Sequence, residues 1–452
     1  MTDNVQFSPT ERRATLSIAS LFGFRMLGLF MVLPVLALAT SDYPDFTPLM
    51  LGLTLGAYGL TQAILQIPLG LLSDRIGRQP VIIGGLLMFI AGSVVAALAD
   101  TMTGLILGRA LQGTGAIAST LMALVADLTL EQNRSKAMAA IGGSIGFSFM
   151  LAMMLGPLLT ANFGLSGVFW VTALLGIIGI CVAFFLVPKG VSMRRNREAM
   201  ADTQQIRALL RDSNLMRLNF GIFALHFALM AAFVAIPTML SGDLGLNGVN
   251  LSWVYLGLLG GGFFVMLPVM IMGEKFGYQK LIFIASVALM ALVTAVLSSQ
   301  RGPVLTPLML LFFFAGFNLL EATLPSWLSK VCPVGNRGTA MGIYSTSQFF
   351  GAFAGGLVGG WSVHTFGVDG LFVTISLVLL VWTFVSMGLK APRPLQTLVL
   401  SVGNLDQQDF LKIVSNVTGV EDILLVKGEH LAYVQIDRLQ VDMTSLQPYI
   451  NR

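Results

Sequence analysis

Charge is scarce in this chain. Asp, Glu, Lys and Arg make up 11% of its 452 residues, against about 25% in soluble domains. Cysteine is almost absent. Cys181 and Cys332 stand far apart, which leaves no spacing for a disulfide framework, a zinc site or an iron–sulfur cluster. The three histidines, His226, His364 and His430, form no metal-ligand motif. No G-x-x-x-x-G-K-[ST] run occurs, so an ATP site lacks its phosphate loop. No nucleophile–base pair is visible either. The composition speaks against an enzyme, and no cofactor is called for. The net charge of +4 is dispersed over short loops rather than gathered in a patch, which speaks against nucleic acid as a partner.

Apolar surface is what the chain has in excess. Hydrophobic residues make up 55%, and the mean hydropathy is +0.82. Apolar runs of the ~20 residues needed to cross a bilayer recur along it. Counting them predicts twelve spans, at 16–39, 49–72, 79–99, 103–126, 137–160, 166–187, 218–241, 250–272, 280–298, 303–329, 338–361 and 368–389. Residues 14–39 end in Ala37-Leu38-Ala39, like a cleavable leader. The run exceeds the ~7–15 residues of a leader core and contains Arg25, so it reads as an uncleaved first span. The lipid bilayer is the first partner implied.

Basic residues set the orientation. Arg12 and Arg13 precede the first span. The even-numbered loops carry Arg75, Arg78, Arg134, Lys136, Lys275, Lys280, Lys330 and Arg337. The odd-numbered loops hold only Arg301, beside Asp42, Asp45, Asp100, Asp243 and Asp369. Lys and Arg gather on the cytoplasmic side, so both termini are expected there. The polar stretch 189–217 is expected as a partly helical linker along that surface. Anionic headgroups attract such a segment at about 1 kcal/mol per basic residue.

The chain repeats itself. Residues 68–79 read PLGLLSDRIGRQ and 268–279 read PVMIMGEKFGYQ, an offset of 200. Asn133-Arg134 and Met138 recur as Asn336-Arg337 and Met341, an offset of 203. Two six-span halves, 1–188 and 218–390, joined by a charged linker are the signature of a duplicated transporter with its path between the halves. Tyr278 stands where the first copy has Arg78, so the two loops are not equivalent.

After Pro392 and Pro394 the composition changes. Residues 396–402 alternate like a strand and 405–417 carry helical spacing. Residues 420–427 and 431–437 read as strands, and 441–451 as a helix. The order β-α-β-β-α suits a cytoplasmic, ferredoxin-like α+β domain over 396–452. The expected fold is an all-α membrane body of twelve helices, in two pseudo-symmetric six-helix bundles, with that domain appended.

Four ionisable residues fall inside spans: Arg25, Arg109, His226 and Glu321. Such groups cost at least ~2.5–3.5 kcal/mol each on insertion scales and usually face a cavity or a partner. Glu321 is the only carboxylate well within a span. Low dielectric favours the neutral form of a carboxyl group, which makes Glu321 a candidate proton or substrate-cation site. A structural hydrogen bond with Asn318 explains it without a transport role. His226 is of the type that titrates near neutrality, yet a lone histidine on an apolar helix also fits a packing residue. Arg25 suits a cavity or a structural ion pair, and Arg109 suits a cavity or a snorkelling, carbonyl-capping role. At the cytoplasmic helix ends, Asp74, Arg78 and Asp127 form an acid–base–acid group able to lock helices together, with Arg134 near by. Topogenic charge explains Arg75 and Arg78 but not Asp74, since acids contribute little to orientation.

These motifs carry a resemblance. GLLSDRIGRQ resembles the loop signature G-x-x-x-D-R-x-G-R-[RK] of the major facilitator superfamily. Gly70, Asp74, Arg75, Gly77 and Arg78 match it, and Gln79 replaces a base. LGRALQGTGA at 107–116 is similar to the fourth-span motif of the proton-coupled members, through Arg109, Gln112 and Gly113. Gly156-Pro157 resembles part of the fifth-span antiporter motif, with Ala152 for a glycine and Thr160-Ala161 for a closing pair of glycines. The resemblance covers residues 12–390 and implies a drug/proton antiporter. It ties Arg109 to proton transfer. It also implies that the Asp74–Arg78–Asp127 lock closes the inner gate, with Asp74 against the start of the eleventh span near 337–340, where the helix dipole favours an anion. The tail resembles a heavy-metal-associated domain in outline. It has no cysteine, so that domain's metal chemistry is not carried over.

The expected function is proton-driven efflux of a small amphiphilic or drug-like compound by alternating access, in the cell inner membrane. Protons and a small-molecule substrate are its partners. Two alternatives stay open. One is a proton-linked metabolite importer. The other is a membrane sensor or scaffold, whose C-terminal domain binds a regulator, a ligand or a second copy.

Overall fold

The computed structural model describes residues 7–188, 203–246, 248–332, 337–390, 395–402, 407–426, 431–437 and 441–449. The linker segment 189–202 lies outside the described residues.

Helix α1 (Pro9–Phe30) opens on a capping box, in which Ser8 Oγ accepts from the Glu11 N–H and the Glu11 carboxylate accepts from the Ser8 N–H. The first apolar run was expected to be one helix. Instead it breaks at 31–35 before α2 (Leu36–Ala39), because Pro34 cannot donate to the helical ladder and its ring crowds the preceding turn. The second half repeats the break. Helix α9 (Ser213–Ala232) stops at 233–235 before α10 (Ile236–Leu244), whose first turn holds Pro237. In the fourth run, α5 (Met102–Thr114) and α6 (Ala118–Leu128) part at 115–117. The carbonyl of Gly85 lies where a Gly115 side chain would go, so only glycine permits that approach.

Between these lie α3 (Pro48–Ile76), capped by Thr47, and α4 (Arg78–Ala97). Helix α7 covers Glu131–Cys181 and α8 covers Thr203–Arg211. Then follow α11 (Gly248–Phe276), α12 (Gln279–Ser299), α13 (Leu305–Val331) and α14 (Arg337–Met387). At 51 residues each, α7 and α14 would reach about 77 Å if straight, far beyond a ~30 Å hydrocarbon core. Both turn back at a glycine, Gly164 at φ 66° and Gly367 at φ 71°, a conformation that L-residues resist. The reversal shows in the contacts. Gly156 packs on Met31 while Thr172 donates to the neighbouring Gly28 carbonyl. The Ser362 and Thr374 hydroxyls meet at 3.2 Å across Gly367. Among the described residues, nine helices are long and apolar enough to cross a membrane.

The halves meet along α3 and the first arm of α14. Going down α3, Gly52, Gly56 and Gly59 lie against Gly356–Gly360, Phe353 and Phe349 going up α14. Small residues let these backbones touch, which drives helix association in lipid. Gly351, Gly355 and Gly359, on another side of α14, seat it on the α9 backbone at Phe223, Phe227 and Ala231. Towards the opposite face the zipper ends. A side chain added at Gly338 or Gly342 would meet open space.

A three-stranded antiparallel sheet forms in the tail from β1 (Leu395–Ser401), β2 (Val420–Val426) and β3 (Leu431–Asp437), in the order β1-β3-β2. Helix α15 (Gln407–Ser415) and α16 (Met443–Leu446) supply Phe410, Val414 and Leu446 to its core, against Leu400, Ala432, Val434 and Ile436.

Candidate transport site and helix-end lock

One cluster sits at the helix ends around residues 74–78 and 127–134. Gly77 takes φ 104° between α3 and α4, so the loop signature needs glycine there. Gly277, its copy, also has positive φ, at 72°. The turn aims Arg78, the first residue of α4, back at the end of α3. Arg78 pairs with Asp74, donates to Asp127 Oδ2 at 3.0 Å and donates to Ser73 Oγ at 2.7 Å. Arg134 donates to the Ala126 carbonyl at 3.1 Å, next to Asp127. Arg75 makes no ion pair among the described residues. Asp74 and Asp127 are part-exposed, and such pairs contribute about 0.2–1 kcal/mol each. Asp74 differs from expectation. Its bond is to Arg78, and among the described residues none reaches α14. The two helices diverge before that point.

The second cluster lies inside the C-terminal half. His226 on α9, Glu321 on α13 and Gln348 on α14 converge there. The Gln348 amide donates to His226 Nε2 at 2.9 Å and to Glu321 Oε1 at 3.3 Å. His226 Nδ1 stands 3.8 Å from Glu321 Oε2, and neither atom has a hydrogen bond. With Nε2 accepting, the neutral ring carries its proton on Nδ1, facing the carboxylate. The buried Tyr344 hydroxyl is also unpartnered. Phe317 flanks His226 and meets Phe149 of the other half at 5.9 Å between ring centres. The side chain of Asn318, the expected partner of Glu321, makes no hydrogen bond among the described residues. Gln348, from another helix, takes that place.

The two interior arginines lie apart from that carboxylate. Arg25 is 1% exposed and Arg109 is fully buried. Arg25 donates to Tyr58 Oη at 2.8 Å and Gln62 Oε1 at 3.2 Å. Arg109 donates to Gln112 Oε1 at 3.0 Å and lies over the Tyr58 ring, and Gln112 passes the chain to Ser93 Oγ at 2.8 Å. Tyr58 therefore touches both cations, and its ring meets Phe349 across the interface. The expected internal ion pair is absent among the described residues. Gly113 and Gly156 pack on the backbones of Tyr58 and Met31, and Pro157 sits inside α7. These motif residues shape helix contacts. No described group of His, Cys, Asp and Glu is placed to hold a metal.

Sequence reasoning passed over Tyr58 and Gln62, polar residues on α3 with no local motif, and Ser73, a variable position inside the loop signature. It also passed over Glu11, although Ser8-x-x-Glu11 is a capping-box pattern.

A polytopic helical body, with polar groups held inside and two halves meeting along α3 with α14 and along α7 with α11, is the build of a membrane transporter. The sequence matches the Major Facilitator Superfamily over residues 18–266 and 218–403. The chain belongs to that superfamily, whose members are transporters and not enzymes. It is 43% identical over 440 residues to Inner membrane transport protein YajR of Escherichia coli (strain K12), covering 96% of each chain. It is 25% identical over 383 residues to Multidrug resistance protein 2 of Bacillus subtilis (strain 168), covering 79% of this chain and 92% of that one. A crystal structure of nucleoside transporter NupG superposes with a TM-score of 0.66 at 16% identity, over 83% of this chain and 98% of that one, a likeness of fold.

Proposed function

We propose that the protein exports a small amphiphilic compound in exchange for protons, by alternating access in an inner membrane. The carrying observation is the His226–Gln348–Glu321 cluster, which places a carboxylate with a free oxygen beside an imidazole within the membrane span. A proton taken up there discharges the carboxylate and changes what the site can hold. The aromatic surroundings at Phe317 and Phe149 suit an apolar ligand body. The YajR and multidrug-resistance likenesses support the inner membrane and the drug-like substrate.

Twelve crossings are part of this reading. Helices α7 and α14 each count twice, and α1, kept off the apolar tally by its charges, counts once. The halves are 1–188 and 218–390, the linker 189–217 and the tail domain 396–452. The basic loops put both termini in the cytoplasm. The strand order β1-β3-β2 suits a ferredoxin-like tail, which a regulator, a ligand or a second copy would occupy.

The test is proton movement in proteoliposomes, read with a trapped pH dye while substrates are screened. Export by antiport moves protons against the substrate. Glu321→Gln is expected to abolish substrate-driven proton movement while the protein still folds. Unchanged proton movement in that variant would remove Glu321 from the mechanism. The fifth-span departures at Ala152 and Thr160-Ala161 favour the opposite direction, proton-linked import, and the same assay separates the two by sign.

A further inference from the structure

Where α1 begins and the π-helical turn Val182–Leu186 ends lies a shallow, open groove of about 510 Å³. Its walls include Arg12, Arg13, Leu16, Ser17, Ser20 and Leu186. That volume lies within the ~300–1,000 Å³ of small-molecule sites. The two arginines are differently employed. Arg13 donates through Nε to the Leu186 carbonyl at 2.9 Å and through Nη2 to the Phe185 carbonyl at 2.8 Å, closing off the helix end. The Arg12 side chain is exposed and, among the described residues, makes no hydrogen bond or ion pair. The nearest acid, Glu11, is saturated elsewhere by Ser8, Leu130 and Asn133. Ser17 and Ser20 donate to the Arg13 and Leu16 carbonyls and offer only lone pairs to the groove.

The second half supplies an internal comparison. Arg217 near the start of α9 donates to the Gly388 carbonyl at the end of α14, just as Arg13 serves the end of the first half. The residue before it is Met216, where the first half has Arg12. Closing the helix end thus takes one arginine, and Arg12 is surplus to it. Beside this free cation runs an exposed apolar strip, with Leu16 56%, Phe185 68% and Leu186 48% exposed.

We propose that the groove binds an anionic phospholipid. Its phosphate sits between the Arg12 and Arg13 guanidinium groups, and an acyl chain lies along Leu16 and Leu186. Guanidinium groups suit phosphate by charge and by paired N–H geometry. The apolar strip selects a lipid over free phosphate, which would leave that strip uncovered. The groove opens on the face whose loops carry most of the Lys and Arg, where anionic headgroups concentrate.

The test is native mass spectrometry of the full chain in detergent, titrated with phosphatidylglycerol or phosphatidylcholine of matched acyl chains. The wild type should retain phosphatidylglycerol preferentially. Arg12→Gln should weaken that lipid about fivefold, the effect of one basic residue at an anionic surface, and leave phosphatidylcholine unchanged. Lys275→Gln, which removes another exposed cation, should change neither. Arg12 has no partner to lose, so the variant's thermal unfolding should match wild type. Equal phosphatidylglycerol binding by wild type and Arg12→Gln would overturn the proposal. So would displacement of the lipid by equimolar inorganic phosphate.

Discussion

A buried carboxylate holds the start of α1. Glu11 accepts from the Leu130 N–H at 2.8 Å and from the Asn133 amide at 3.2 Å, tying α1 to the turn before α7. Burial alone would push its pKa up. The hydrogen bonds from Leu130, Ser8 and Asn133 outweigh that and hold it below the ordinary 4.5. A carboxylate with a lowered folded-state pKa stabilises the fold fully above its unfolded value, and the contribution is lost as pH falls through the folded value. Glu11→Gln should therefore lower stability at pH 7 by about 1–3 kcal/mol, the range for hydrogen bonds to a charged group. The gap from wild type should close as pH drops below about 4.5. Thermal unfolding in detergent at both pH values checks this, and a gap independent of pH would show that the charge is not what matters. At this scale the sequence was readable where partners are close in the chain. Asp74 and Arg78 are four residues apart and find each other. Glu321 was matched to Asn318 because both lie on one helix, whereas its bond reaches Gln348 on α14, and spacing cannot show which helices become neighbours.

Helices obey the same rule. Their runs were legible because crossing lipid demands length and apolarity. Their breaks were less so, although Pro34 and Pro237 mark two of them and recur in both halves. The glycine faces carry the information that composition hides. LGLTLGAYG on α3 and GAFAGGLVGG on α14 hold small residues at helical intervals, and each set of glycines faces a different backbone. At Gly356 the nearest atoms are the Gly52 carbonyl and the Gly56 backbone, and a backbone cannot step aside as a side chain can. Gly356→Leu should separate α3 from α14 at a cost of about 1–3 kcal/mol, as overpacking does. Cysteines placed near 45–47 should then label faster. Gly342→Leu, where the space is open, should leave labelling and stability unchanged. Equal effects from both substitutions would mean that the zipper does not hold the halves.

In the whole molecule these local facts combine into one asymmetry. The halves are zipped by glycine towards residues 45–52, and the zipper ends before residues 74–78. Extending the pairing of Gly52 with Gly356 and Gly59 with Phe349 would bring Gly70 opposite Gly338, in the first turn of α14, with Asp74 one turn further along α3. Asp74 is instead held by Arg78. An alternating-access transporter must also visit the reverse. There the zipper parts, and Asp74 exchanges part of its bond with Arg78 for the N–H groups at the start of α14, an anion site by virtue of the helix dipole. That interaction is worth about 0.3–1 kcal/mol, comparable to the exposed ion pair it replaces, so neither state is trapped. A cysteine pair at Arg75 and Gly338 reports the exchange. Its crosslinking by a short bifunctional reagent should be low in this arrangement. It should rise when Gly356→Leu weakens the zipper, and fall again when Asp74→Asn removes the anion. If Asp74→Asn leaves crosslinking unchanged in the Gly356→Leu background, the signature loop contributes only to this arrangement, and the reverse one must be held by other contacts.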